Sequence, residues 1–88
     1  MATKAKVASR VGGMIQSIYF NKKYFTEHQA RQWVKVHKGT LAYGMDAKEN
    51  VMRFRQWPPG KCARFYTLTS KNSDLPKGVA FVVCAALK

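Results

Sequence analysis

One amphipathic helix constrains the fold of this chain most, because the other apolar stretches have the patterns of strands. Thr26 suits the N-cap position, and Gln29 can reach back to it and complete a capping box. Gly39 is predicted to follow the last turn as the C′ residue. Trp33 and Val34 share one stripe of this helix, which at about three turns is marginal in isolation. The stripe must therefore pack on another element.

The remaining apolar segments would supply that element. Met52 and Phe54 alternate with Arg53 and Arg55, as in a strand with one buried face. We therefore predict an α+β fold, a two-layer β-α-β-β-β domain with one helix packed on an antiparallel sheet. The predicted strands are residues 15–20, 51–57, 62–69 and 79–86.

The connections between these segments carry further expectations. Because a short Pro-Pro-Gly loop joins the strands at 51–57 and 62–69, these two are predicted to pair as an antiparallel hairpin. Residues 41–43 either add a short strand or pack beneath the helix. Residues 45–50 have the composition of a polar loop.

Net charge is the strongest compositional signal. Sixteen Lys and Arg face four Asp and Glu, which gives a formal charge of +12. Such an excess indicates a polyanionic partner. We expect nucleic acid, with DNA favoured over RNA, or else an acidic protein surface. A basic protein without a specific partner is the alternative.

The first residues of the chain are predicted to form a separate segment. Residues 1–13 form a flexible basic arm in this interpretation, and residues 14–88 form a single domain. Lys4, Lys6 and Arg10 on the arm are candidate phosphate contacts, although a solvated tail explains them equally well. No apolar run follows these cations, so the arm is not expected to be a secretory signal.

Arginine and aromatic side chains on the uncovered face of the sheet form the first candidate site. Arg53 and Arg55 share one face of their strand, and the expected hairpin would place Arg64 and Tyr66 opposite them. Tyr19 could join from the first strand. Such side chains can contact phosphates and stack on bases. A solvated face whose arginines lie over tyrosine rings explains the pattern equally well.

A basic stripe on the helix is the second candidate. His28, Arg31, Lys35 and Lys38 lie on one side and could track a nucleic-acid backbone. The charged outer face of an ordinary surface helix is the favoured explanation for this stripe. Glu27 is the only acid near it, which strengthens the functional interpretation.

Catalysis and metal binding have little support in the sequence. His28 and His37 are too far apart along the helix to share a metal ion, and no pair of carboxylates shares a face. We therefore expect a non-enzymatic protein with no cofactor and no metal site.

The cysteines and the apolar runs bear on location. Cys62 and Cys84 are expected to be reduced, partly buried thiols, with a disulfide between them as the alternative. No apolar run approaches the length that a membrane span needs. We expect an intracellular or virion protein that is neither secreted nor bound to a membrane.

Two short motifs, FTxxQAxxWxxxH from Phe25 and NxxRFRQxP from Asn50, lie on the helix and on the strand at 51–57. Together they resemble a small domain found in tailed bacteriophages and large DNA viruses, over about residues 15–83. The resemblance implies a viral source and a virion or genome-associated setting. It assigns no role to any residue.

These observations give two hypotheses for function. The first is a small basic, non-enzymatic nucleic-acid-binding protein, viral and genome-associated. The second is a structural or interaction protein of a virion, such as a minor capsid or head component. In the second, Trp57 beside two prolines would anchor a partner. The sequence leaves the oligomeric state open.

Overall fold

A computed structural model describes residues 15–88 of the chain. The predicted arm at residues 1–13, with Lys4, Lys6 and Arg10, lies outside the described residues. The elements are β1 (Ile15–Asn21), α1 (Glu27–Val36), β2 (Asp46–Ala47), β3 (Val51–Arg55), a 3₁₀ turn (Pro59–Lys61), β4 (Cys62–Leu68) and β5 (Val79–Leu87).

The strands form one five-stranded sheet in the order β2-β3-β1-β5-β4, and all neighbouring pairs are antiparallel. Helix α1 packs on one face of this sheet, which confirms the predicted two-layer α+β fold. Ala30 and Val34 of α1 are fully buried in the core between the layers. Phe20, Phe54 and Phe81 are the largest buried side chains there and come from three adjacent strands.

The caps of α1 follow local sequence signals. Thr26 Oγ1 accepts a hydrogen bond from the Gln29 amide at 3.1 Å, and Gln29 Oε1 accepts one from the Thr26 amide at 2.9 Å. The predicted capping box is therefore confirmed. At the other end Lys38 is the left-handed residue, with φ 66°, and the Gly39 amide donates to the Val34 carbonyl at 2.8 Å. The C′ position is thus Lys38, one residue before the predicted Gly39.

Trp33 anchors the helix to the sheet through ring contacts. Its ring meets Phe20 and Phe81 edge to face, with centroids 5.7 and 5.9 Å apart. The other side of the indole stacks on His37 at 3.7 Å. His37, which is partly exposed, therefore lies at the boundary of the core.

The predicted hairpin between β3 and β4 is wrong, because β1 and β5 lie between these strands. Two glutamines explain how the chain leaves β3. The Gln56 backbone amide donates to the Gln16 backbone carbonyl at 2.6 Å, and the Gln16 side chain donates through Nε2 to the Trp57 backbone carbonyl at 2.6 Å. The chain therefore stays beside β1 at this point and crosses to the far edge before β4 starts. A short loop alone does not reveal such a crossing.

The short additional strand also differs from the expectation. Residues 41–43 form no strand, whereas β2 occupies part of the predicted polar loop. Asp46 and Ala47 pair with Arg53 and Met52 of β3. A carboxylate that can bond to an arginine on the neighbouring strand stabilises this pairing despite the polar sequence.

Cys62 and Cys84 form a disulfide, with Cα atoms 5.8 Å apart. The expectation of two reduced thiols is therefore wrong. The two residues lie on β4 and β5, which pair directly, and both are almost fully buried. Their proximity follows from the strand pairing, which the spacing of two cysteines along the chain cannot show.

Candidate nucleic-acid interface

The sheet surface opposite α1, here called the open face, carries the central sequence-predicted residues. Met52 and Phe54 of β3 are buried against the helix layer, so Arg53 and Arg55 project to the other side. Residues in register across the strands share a face. On that basis the open face includes Ser17, Tyr19, Asn21, Asp46, Val51, Arg53, Arg55, Phe65, Thr67, Ala80 and Val82.

Arg53, on the strand next to the β2 edge, is held in place by its neighbours. Its Nη2 and Nε donate to one carboxylate oxygen of Asp46, at 2.6 and 3.2 Å. Its Nη1 donates to the Tyr19 hydroxyl at 3.4 Å, and its guanidinium carbon lies 6.0 Å from the centre of that ring. Arg55 reaches the same Asp46 oxygen at 3.5 Å. A single carboxylate therefore faces two guanidinium groups.

The electrostatics of this cluster follow from its hydrogen bonds. Donation from Arg53 lowers the pKa of Asp46, and the charges of Arg53, Arg55 and Lys48 act in the same direction. Hydrogen bonds to Asp46 and Tyr19 raise the pKa of Arg53. Both partners therefore stay charged at neutral pH, and Asp46 offsets part of the positive charge that the arginines bring to the open face.

Arg64 and Tyr66 do not join Arg53 and Arg55, because β4 lies at the opposite edge of the sheet from β3. Tyr66 pairs with Val83, which faces the core, so the tyrosine projects to the helix side. Arg64 lies where the pairing of β4 with β5 is irregular. Both side chains are exposed. The predicted four-residue patch therefore reduces to the two arginines of β3.

The helix stripe is less uniformly basic than its sequence indicates. Arg31 pairs with Glu27 at 2.8 Å, and its guanidinium carbon lies 5.7 Å from the centre of the Phe54 ring. Lys35 and Lys38 are exposed and form no ion pair with any described residue. The stripe thus offers two unpaired lysines and one compensated arginine.

Exposed lysines lie at both ends of the sheet. At the end where β1 and β4 finish, Lys48 and Lys71 occupy the turns next to β3 and β4. At the other end, the Lys88 amide donates to the Lys61 carbonyl at 3.2 Å, which places these two lysines side by side. Within residues 15–88 none of the four forms an ion pair. The open face is therefore bordered by positive charge at both ends.

A groove on the open face is the feature that sequence reasoning missed. It has a volume of about 220 Å³. The small side chain of Ala80, which pairs with Tyr19, leaves space beside the Tyr19 ring, and this space is recognisable only once the neighbouring strands are known. Its lining residues are Tyr19, Asn21, Val51, Thr69, Ser70, Gly78, Val79 and Ala80.

Trp57, the predicted partner anchor, is only partly exposed. Its carbonyl accepts the hydrogen bond from Gln16 that holds the end of β3 against β1. The residue therefore contributes to the chain crossing after β3, and the exposed aromatic side chains lie elsewhere. Phe65 and Tyr66 on the edge strand β4 are 41% and 44% exposed.

The described residues contain no cluster of three or more metal-ligating side chains. Within the same part of the chain, no helix is long and apolar enough to cross a membrane. Comparison with protein-family models, curated proteins and solved structures finds no match to this chain.

Proposed function

We propose that this chain is a small, non-enzymatic nucleic-acid-binding protein, viral and genome-associated, that binds along the open face. The observation that supports the proposal is the excess of unpaired cations around that face. Among residues 15–88 the ion pairs use only Glu27 and Asp46, while exposed lysines border both ends of the sheet. A nucleic-acid strand laid across the open face would meet lysines at each end of the sheet and the arginines of β3 between them.

Two acids reduce this charge locally. Glu49 and Asp74 lie in the loops at the same end as Lys48 and Lys71, whereas the residues that flank Lys61, Gly60 and Cys62, carry no charge. The positive field is therefore asymmetric along the face. We expect the phosphates at the Lys61 end to contribute more of the binding free energy.

The experiment is fluorescence anisotropy with labelled single-stranded DNA, double-stranded DNA and single-stranded RNA of equal length, each over a series of salt concentrations. Counterion release predicts that log K falls linearly with log salt, by about 0.7 to 0.9 for each phosphate neutralised. DNA is the expected preferred ligand. Absence of binding at physiological salt would contradict the proposal.

Three double variants with the same loss of charge locate the interface. Lys48→Gln with Lys71→Gln, and Lys61→Gln with Lys88→Gln, remove cations from the two ends of the open face. The matched control removes Lys35 and Lys38 from the helix side in the same way. Each end variant should lower the salt slope by about 2, while the control should lower it by less. An equal or larger effect of the control would move the interface to the helix.

The exposed edge of the sheet favours a second candidate, a structural protein of a virion that assembles with copies of itself. Strand β4 is seven residues long, ends the strand order and has exposed side chains from Ala63 to Thr67. Such an edge presents unpaired backbone groups to another strand. Packaged nucleic acid would neutralise the charge that opposes this assembly.

Light scattering coupled to size-exclusion chromatography tests the second candidate. Concentration-dependent dimers or larger species that are lost with Tyr66→Lys would support it, because a lysine on an edge strand disfavours edge pairing. Lys71→Gln is a suitable control outside the strand. A monomer across the accessible concentrations would contradict it.

A further inference from the structure

The groove on the open face has an aromatic wall that is held in place. Tyr19 pairs with Arg53 on one neighbouring strand and with Ala80 on the other. Arg53 binds the Tyr19 hydroxyl and lies near its ring, while the methyl group of Ala80 leaves the other side of the ring unfilled. The partly exposed ring is therefore positioned before any ligand arrives.

The opposite wall of the groove is polar. Thr69 and Ser70 follow β4 directly, and both line the groove. The Thr69 hydroxyl accepts a hydrogen bond from the Lys71 amide at 3.2 Å, which places an exposed lysine next to this wall. The groove thus lies between an aromatic ring and two hydroxyl groups, with a cation beside it.

The floor of the groove offers a hydrogen-bond donor. Asn21 Oδ1 accepts a hydrogen bond from the Lys23 backbone amide at 2.8 Å, which leaves the side-chain nitrogen Nδ2 of Asn21 as a donor. Within residues 15–88 this nitrogen donates no hydrogen bond, and Asn21 lines the groove. A donor beside an aromatic ring suits the edge of a flat heterocycle.

The size of the groove suits one planar ring system. Its volume of about 220 Å³ exceeds the roughly 150 Å³ of an engineered cavity that binds benzene. A base inside a duplex is stacked on both sides and paired at its edge, so it cannot enter. An unpaired base can enter, and its phosphate then lies near Lys71, where charge complementarity favours an anion.

We propose that this groove receives one base of a single-stranded nucleic acid, stacked on Tyr19. The inference rests on the proposed function and adds the strandedness of the ligand to it. The surrounding lysines neutralise phosphates of either a single strand or a duplex. The groove adds affinity for the single strand alone.

The test compares Ala80→Leu, which fills the groove, with Ala85→Leu, which makes the same change at an exposed position of the same strand. Anisotropy is measured with a thymidine oligonucleotide and with a duplex of equal length at one salt concentration. Ala80→Leu should weaken single-strand binding by about tenfold and leave duplex binding within about twofold. Ala85→Leu should change neither.

A second variant keeps the test decisive if leucine at position 80 prevents folding. Tyr19→Leu removes the stacking ring from a partly exposed position and should also lose about tenfold in single-strand affinity. If the unchanged protein binds no nucleic acid, the proposed function and this inference both fail. If it binds both ligands and the groove variants weaken neither or both equally, only the groove inference is overturned.

Discussion

The disulfide between Cys62 and Cys84 should supply a large share of the stability of this domain. In the chain-entropy description, a cross-link stabilises the folded state because it restricts the unfolded chain, and the effect grows with the logarithm of the closed loop. The sequence separation here is 22 residues. That loop length corresponds to about 3.4 kcal/mol at 25 °C. Small domains are typically stable by only about 5 to 15 kcal/mol in total.

The location of the bond indicates where its loss acts first. Strand β4 ends the strand order and pairs only with β5, and the disulfide joins these two strands. Helix α1 leaves β4 largely uncovered, since Ala63 to Thr67 are exposed. After reduction, β4 should therefore open at a lower free-energy cost than the central strands. The backbone amides of β4 should then exchange with solvent faster than those of the other long strands.

Urea unfolding with and without a phosphine reductant measures the effect. With an m-value of about 1.5 kcal/mol/M, a loss of about 3.4 kcal/mol lowers the midpoint by roughly 2 M. The double variant Cys62→Ala with Cys84→Ala controls for direct effects of the reductant, since its midpoint should not respond. Thiol titration in denaturant confirms that the starting protein holds the bond. Coincident midpoints for the oxidised and reduced protein would refute the loop-entropy reasoning.

Two further predictions concern a glycine and a carboxylate. Gly78 has φ +92°, and an added Cβ would lie 2.9 Å from the Tyr24 Cβ, so Gly78→Ala should cost about 2 to 4 kcal/mol in urea unfolding. Gly60 has no atom within 4 Å of such a Cβ, so Gly60→Ala is the control and should stay within about 1 kcal/mol. Because Arg53 lowers the pKa of Asp46, their ion pair should contribute fully above the ordinary carboxyl pKa. The contribution of the ion pair to stability should be lost as the pH falls through the lowered pKa of Asp46. An NMR titration of the Asp46 carboxyl measures that pKa, and a midpoint at or above the ordinary carboxyl pKa would contradict the prediction.

The parts of the fold that sequence predicts well depend on neighbours along the chain. The capping box needs only Thr26 and Gln29, and the burial of alternate β3 residues needs only the pleat of one strand. The C′ residue was displaced by one position because Lys38 adopts the left-handed conformation that glycine usually supplies. Local chemistry thus fixes element type better than element ends.

The parts that sequence did not predict depend on which strands meet. The hairpin prediction treated consecutive strands as neighbours, which is the common case but not the one found here. The strand order separates Arg64 from Arg53, brings Cys62 close to Cys84 and creates the groove beside Tyr19. Each of these features joins residues that are distant in the chain. No pattern within a single segment indicates them.

The disulfide and the groove both involve strands β4 and β5. The hydroxyl wall of the groove follows the last residue of β4, and its floor includes Ala80 of β5. Within the sheet β4 pairs only with β5, and the cross-link at Cys62 stabilises the start of the strand whose last residue leads into the wall. Such bonds persist in oxidising surroundings, virion surfaces among them, and are rare in a reducing cytosol. The disulfide would therefore stabilise β4 most in an oxidising compartment, whereas the phosphate contacts proposed for the lysines do not depend on it.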